Sequence, residues 1–208
     1  MSTVIGTSFH RCVEPGGKTR TACTGSRPAV EYRAFTASIQ DLTMHINPER
    51  STRPDYDLLV RQVASVLEGE RDLTANAAQF SALVYDTLAD LNWAGFYLTV
   101  PAKKGDGQDL LVGPFQGKPA CARIPFGRGV CGASAVQRET IVVPDVHAFP
   151  GHIACDSASN AEIVIPLLKD GRVVGVFDID SPVLERFSPE DQAGLEAMVA
   201  AFLDATDC

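Results

Sequence analysis

The residues Lys169-Asp170-Gly171-Arg172 constrain this chain more than any others. They separate two apolar, β-branched runs, Ile163 to Leu168 and Val173 to Ile179. Asp-Gly between such runs supplies the positive-φ positions of a tight hairpin, so the two runs are predicted to pair antiparallel. The segment Trp93 to Val100 is aromatic and β-branched and reads as a further strand. A turn over Lys103–Gly107 leads to a strand over Leu110–Phe115, then a third over Cys121–Ile124; Thr140–Val143 is extended. Helical spacing brackets this region. Tyr56, Leu59, Val60, Val63 and Leu67 follow a hydroxyl-and-proline start at Ser51–Asp55, and Gly69 ends the run. Phe80, Leu83, Val84, Leu88 and Leu91 make one stripe within Leu73–Leu91. Ser188-Pro189-Glu190-Asp191 opens a last helix, with a hydroxyl cap and an acid three residues on. Helices at both ends of a mainly antiparallel sheet define an α+β domain.

With 208 residues the chain is long enough for one domain with a sizeable core and an extension. Residues 1–43 carry Gly, Pro, Ser and Thr without periodicity and read as a poorly ordered extension, leaving 44–208 as the folded unit. Basic residues in the extension hint at an organellar address, and Glu14, Glu31 and Asp41 weaken the hint. A net charge of −8 argues against a general nucleic-acid or membrane-surface binder. No run is apolar enough to span a bilayer, and Met1–His10 lacks a secretory pattern. Six cysteines without a dense framework point to a reducing, cytoplasmic compartment.

The chemistry gathers around Gly151 to Glu162, a loop of small and polar residues between apolar runs. Cys155 stands there among His152, Asp156 and Glu162, groups able to change its protonation. Three uses of it compete with a merely buried thiol. Zinc could be bound by Cys121, Cys131, Cys155, His147 and His152, but no close cysteine pair is present, so this reading is minor. A Cys–His–Asp hydrolase could use Cys155 with His147 or His152 and Asp145 or Asp156. Thiol redox chemistry needs an attacking and a resolving cysteine, a count that Cys155 with Cys121 or Cys131 satisfies. All three cysteines are placed at loops or strand edges. Asp178-Ile179-Asp180 puts two carboxylates on one strand face, where a cationic partner would stabilise them; the plainer alternative is a solvated acidic strand end. Gly127-x-Gly129-x-x-Gly132 lacks the βαβ setting of a dinucleotide site and reads as a turn into a short helix near Ala133–Gln137.

Six motifs stand in order: Asn92-Trp93-Ala94-Gly95-Phe96-Tyr97, Gly113–Gly117, Gly127–Gly132, Asp145-Val146-His147, Gly151–Asp156 and Asp178–Ser181. Together they resemble the free methionine-R-sulfoxide reductases, single-domain GAF proteins, over about Met44 to Ala205. The resemblance implies a GAF-like central antiparallel sheet flanked by helices, with a small closed pocket. It implies that Cys155 is the catalytic cysteine, Cys121 the resolving one and Cys131 a second recycling thiol. Trp93 and Tyr97 would enclose the substrate methyl, and Glu162, Asp178 and Asp180 would surround its sulfoxide and ammonium ends. Asp145 is a further acid expected near the pocket. Protonation of the sulfoxide oxygen falls to Glu162, with Asp180 as the alternative donor. An external dithiol of thioredoxin type would restore the thiols, without metal or organic cofactor. Such proteins are expected to dimerise. The competing function is a non-catalytic GAF sensor whose cysteines report redox state. The long extension and the enlarged Lys103–Gln108 turn depart from the family pattern, and Cys12, Cys23 and Cys208 carry no family role.

Overall fold

A computed structural model describes residues 50–153 and 156–208; the expected extension, Cys12, Cys23 and Cys155 lie outside the described residues. The elements run α1 (Tyr56–Val66), α2 (Leu73–Thr87), β1 (Trp93–Pro101), β2 (Gln108–Gly117), β3 (Arg123–Pro125), α3 (Gly129–Gln137), β4 (Ile141–Val143), a 3₁₀ turn (Val146–Ala148), β5 (Ala161–Lys169), β6 (Arg172–Ser181) and α4 (Pro189–Ala205). The strands form one sheet in the order β3-β2-β1-β6-β5-β4, and neighbouring strands pair antiparallel. The β5–β6 hairpin is the predicted one. Lys169 faces Arg172, and Asp170 and Gly171 take φ of 50° and 72°, the two left-handed residues of a type I′ turn.

Strand alternation divides the interior into two cores. Ala94, Phe96, Ile163, Ile165, Leu167, Phe177 and Ile179 face one side, where they pack with α1, α2 and α4. Phe80 of α2 meets Phe177 edge-on at 4.8 Å between centroids, and Phe202 of α4 sits 4.8 Å from Phe96. Trp93, Tyr97, Val164 and Val176 face the opposite side, with Leu110, Ile124 and the α3 residues Val130, Cys131 and Ala135. A period of two sends successive side chains to opposite faces, so one strand serves both cores.

The boundaries moved where local chemistry outcompeted periodicity. Asp55, not a hydroxyl, caps α1 by accepting from the Leu58 N–H at 2.9 Å. Helix α2 stops at Thr87 because residue 51 takes over its last turn: Ser51 N donates to Thr87 O, and Ala89 N to Ser51 O. Asp90 then turns with a φ of 60°. Helix α3 begins at Gly129, four residues before the expected start, and β3 begins at Arg123 rather than Cys121. Cys131 consequently lies inside a helix and in an apolar core, not at a loop or strand edge. The α4 start is the expected capping box, with Ser188 and Asp191 bonded reciprocally.

Candidate active site

On the α3 side of the sheet the strand register places acids where apolar side chains would otherwise pack. Glu162 of β5 lies directly across from Asp180 of β6, and Asp178 pairs with Val164 one step along the same face. Glu162 and Asp178 are only 5% and 6% exposed, which rules out a solvated strand end. The three acids, with Cys131, His152, Ser159 and Asp156, line a narrow cavity of about 20 Å³. Ile124, Gly129, Val130, Ile153 and the exposed Arg128 complete its lining.

Three carboxyls on one buried face cannot all ionise, since each charge loses hydration and repels its neighbours. Burial, then the Asp180 charge, pushes Glu162 well above the usual carboxylate range. Burial and the charges of Asp180 and Glu162 do the same to Asp178. Asp180 rises to about 6, chiefly through burial, with Ser159 and the His152 charge pulling it back. Asp178 Oδ1 is buried with no hydrogen-bond partner among the described residues. His152 Nε2 lies 3.5 Å from Glu162 Oε2, and the Cys131 thiol 3.9 Å from Glu162 Oε1. Burial and the acids Asp178 and Glu162 raise the Cys131 thiol far above its ordinary value, so it is a neutral thiol rather than a standing thiolate.

A second network holds the loop after Cys155 against the sheet. Asn92, just before β1, donates from Nδ2 to Ser159 Oγ at 2.9 Å and to Asp156 Oδ2 at 3.3 Å. Its backbone N–H donates to Asp180 O at 3.0 Å. Asp156 also accepts from the Ala158 N–H and pairs with Lys118 at 3.2 Å. The Ala158 bond leads the contacts that hold Asp156 below the usual carboxylate range, against the effect of burial. Asp156 therefore stays charged, while burial and mutual repulsion oppose full ionisation of the three acids behind it.

The other expected site residues fall in three places. Trp93 and Tyr97 stack at 5.6 Å between centroids in the same apolar cluster as Cys131, behind the cavity rather than on its lining. Cys121 is a half-buried free thiol packed against that cluster. Asp145 is not among the lining residues; its carboxylate caps the 3₁₀ turn by accepting from the His147 N–H at 2.9 Å. His147 instead meets Asn160 at 3.2 Å. Asn92, Ser159 and Arg128 gained no role from sequence reasoning. The one available signal was a polar residue immediately before an aromatic strand, at Asn92.

A six-stranded antiparallel sheet with helices packed on it is the architecture of a GAF domain, and residues 74–205 match that family. Similarity is higher to particular members. The chain is 49% identical to the free methionine-R-sulfoxide reductase of Escherichia coli, over 70% of this chain and 84% of that one. It is 45% identical to the Saccharomyces cerevisiae enzyme of the same name, over 74% of this chain and 88% of that one. The structure of fRMsr of Staphylococcus aureus in complex with substrate superposes with a TM-score of 0.67 at 45% identity, covering 74% of this chain and 98% of that one. The chain belongs to the free methionine-R-sulfoxide reductase family of GAF-domain proteins.

Proposed function

We propose that this protein reduces free L-methionine-R-sulfoxide to methionine with thiol electrons. The single observation that carries the reading is the buried acid cluster: Glu162, pushed toward its protonated form beside Asp178 and Asp180, in the cavity that Ile153 and Asp156, the described neighbours of the Cys155 segment, also line. Sulfoxide sulfur is a weak electrophile until its oxygen accepts a proton, and a carboxyl kept neutral at physiological pH can supply one.

Glu162 protonates the sulfoxide oxygen and the Cys155 thiolate attacks sulfur. Methionine leaves, and the oxygen remains on Cys155 as sulfenic acid. The Cys121 thiol displaces that oxygen as water and forms a disulfide, with Cys131 as the second thiol able to take part. A thioredoxin-type dithiol in a reducing, cytoplasmic setting returns two electrons by exchange. Asp178 and Asp180 receive the substrate ammonium, Arg128 faces its carboxylate, and Trp93 and Tyr97 back the methyl end. The cavity, at about 20 Å³, is smaller than an amino acid, so binding requires it to widen.

NADPH consumption with a thioredoxin system tests this reading on free methionine-R-sulfoxide against its N-acetyl derivative. Removing the ammonium leaves buried carboxylates without a partner, a loss of roughly 3–5 kcal/mol. The expected kcat/KM ratio therefore favours the free amino acid by at least about 100-fold. Binding without turnover would instead make the protein a sensor.

A further inference from the structure

The acid cluster has a soft member, the buried Cys131 thiol, packed directly against its carboxyls. Cys131 Sγ and one carboxylate oxygen each of Glu162 and Asp178 lie within 4.8 Å of one another, and all three residues are buried. Tetrahedral zinc, at about 2.3 Å from sulfur and 2.0 Å from oxygen, sets sulfur and oxygen ligands about 3.5 Å apart. The Cys131 Sγ to Glu162 Oε1 distance is 3.9 Å, so only a few tenths of an ångström separate this pair from ligand spacing. An independent feature points to the same place: the Asp178 Oδ1, on a residue 6% exposed, has no hydrogen-bond partner among the described residues. His152 offers a fourth donor, since its Nε2 is 3.5 Å from Glu162 Oε2 and it lines the same cavity.

We propose that this cavity is also an inhibitory site for a borderline-soft divalent cation of the zinc class, bound by Cys131, Glu162 and Asp178 with His152 closing the set. One thiolate, one imidazole and two carboxylates select zinc over the hard ions magnesium and calcium, which prefer all-oxygen shells. Binding displaces the Cys131 thiol proton and any carboxyl proton to solvent, and the cation neutralises charges that otherwise repel. The ion is not a cofactor. It occupies the groups that the proposed reaction uses to protonate oxygen and to hold ammonium, so substrate and metal exclude one another. The blocking effect rests on the reductase reading; the site itself does not.

Cobalt(II) is the probe, because a cysteine thiolate on cobalt gives a charge-transfer absorption in the near ultraviolet. Full-length, fully reduced, metal-free protein titrated with cobalt should develop this band at one equivalent, and zinc should abolish it. Magnesium and calcium should leave it unchanged. Cys131→Ser should remove the band. Asp178→Asn, which keeps the thiol and the cavity volume, should weaken cobalt binding by at least about 10-fold, since even partners outside the coordination shell are worth about 10–100-fold. Cys155→Ser and Cys121→Ser should retain the band. A band unchanged in both Cys131→Ser and Asp178→Asn, or lost in Cys155→Ser alone, would overturn the assignment. The functional arm avoids thioredoxin, whose own thiols bind zinc: methionine release is followed in a single turnover of prereduced protein. Stoichiometric zinc should slow it at least about 10-fold, the scale of a buried ligand set lost to the substrate, and a chelator should restore it. Undiminished release at saturating zinc overturns the inhibition. Absent release from metal-free protein counts against the reductase reading, and the cobalt band still decides the site.

Discussion

Glu162, Asp178 and Asp180 share one buried face, yet their positions separate their work. Glu162 touches both the Cys131 thiol and His152, and it is held protonated. Glu162→Gln keeps its shape and removes the acid, so kcat should fall about 100-fold or more, the usual worth of a general acid. Asp178→Asn should act on KM instead, raising it on the order of 10–100-fold with kcat little changed, because ammonium binding helps ground and transition states alike. Steady-state kinetics on free methionine-R-sulfoxide distinguishes the two; an Asp178→Asn effect on kcat alone would reverse the assignments. Asp180 makes a pH prediction. Its pKa is raised from 3.8 to about 6, so between those values the folded chain binds more protons than the unfolded one. Stability contributed by this carboxyl is therefore present at mildly acidic pH and is lost as pH rises through about 6, on the order of 1–3 kcal/mol. Melting temperature measured from pH 4 to 8 should show that loss in the wild type and a flatter profile in Asp180→Asn.

Elements matter here through how closely β1 is crossed by its neighbours. A Cβ at Gly95 would lie 2.2 Å from Phe115 Cβ of β2 and 2.8 Å from the Trp93 ring. Gly95 is what lets the Trp93 indole stack at 5.3 Å on Phe115. Gly95→Ala should cost about 1–3 kcal/mol or more by overpacking, read as a lower melting temperature, and a variant as stable as wild type would mean that β1 and β2 yield there. Asn92→Ala is the complementary case. It removes the two bonds that hold Asp156 and Ser159, so kcat/KM should fall about 10-fold or more through misplacement of the loop, with little change in melting temperature. The β5–β6 hairpin and the α4 capping box were legible in sequence because a dipeptide or a four-residue motif encodes each locally. The end of α2 was not, because residue 51, far away in the chain, supplies the backbone partners that stop it. The acids on Asp178-Ile179-Asp180 could be put on one face by alternation alone. Their burial could not, because it depends on α3 covering that face, and α3 was expected to start four residues later. The same misplaced start hid the burial of Cys131.

At the scale of the molecule, the described fold assigns its two cores to different tasks. The α1, α2 and α4 side is apolar and aromatic, with Phe80, Phe96, Phe177 and Phe202 in mutual contact. It supplies the stability that a sheet carrying three crowded carboxyls on its other face requires. Its edges are tied as well: Tyr56 Oη donates to Asp191 Oδ1 at 2.7 Å, joining the start of α1 to the start of α4. Lys169, at the β5–β6 turn, donates to the carbonyls of Leu203 and Thr206 at the end of α4. Among the described residues, α1, α2 and α4 pack on one face of the sheet and α3 on the other. Residues 1–43, by contrast, have the composition of a segment unable to bury much apolar surface. A chain beginning at Met44 is therefore expected to fold and turn over like the full chain. Changes that touch no core usually stay within about 0.5 kcal/mol, which for a domain of this size is a shift of about 2 °C at most. Thermal melting and kcat/KM of the two chains, measured side by side, check it. A fall of about 10 °C would correspond to several kcal/mol, and would place part of the first 43 residues in the packed structure rather than beside it.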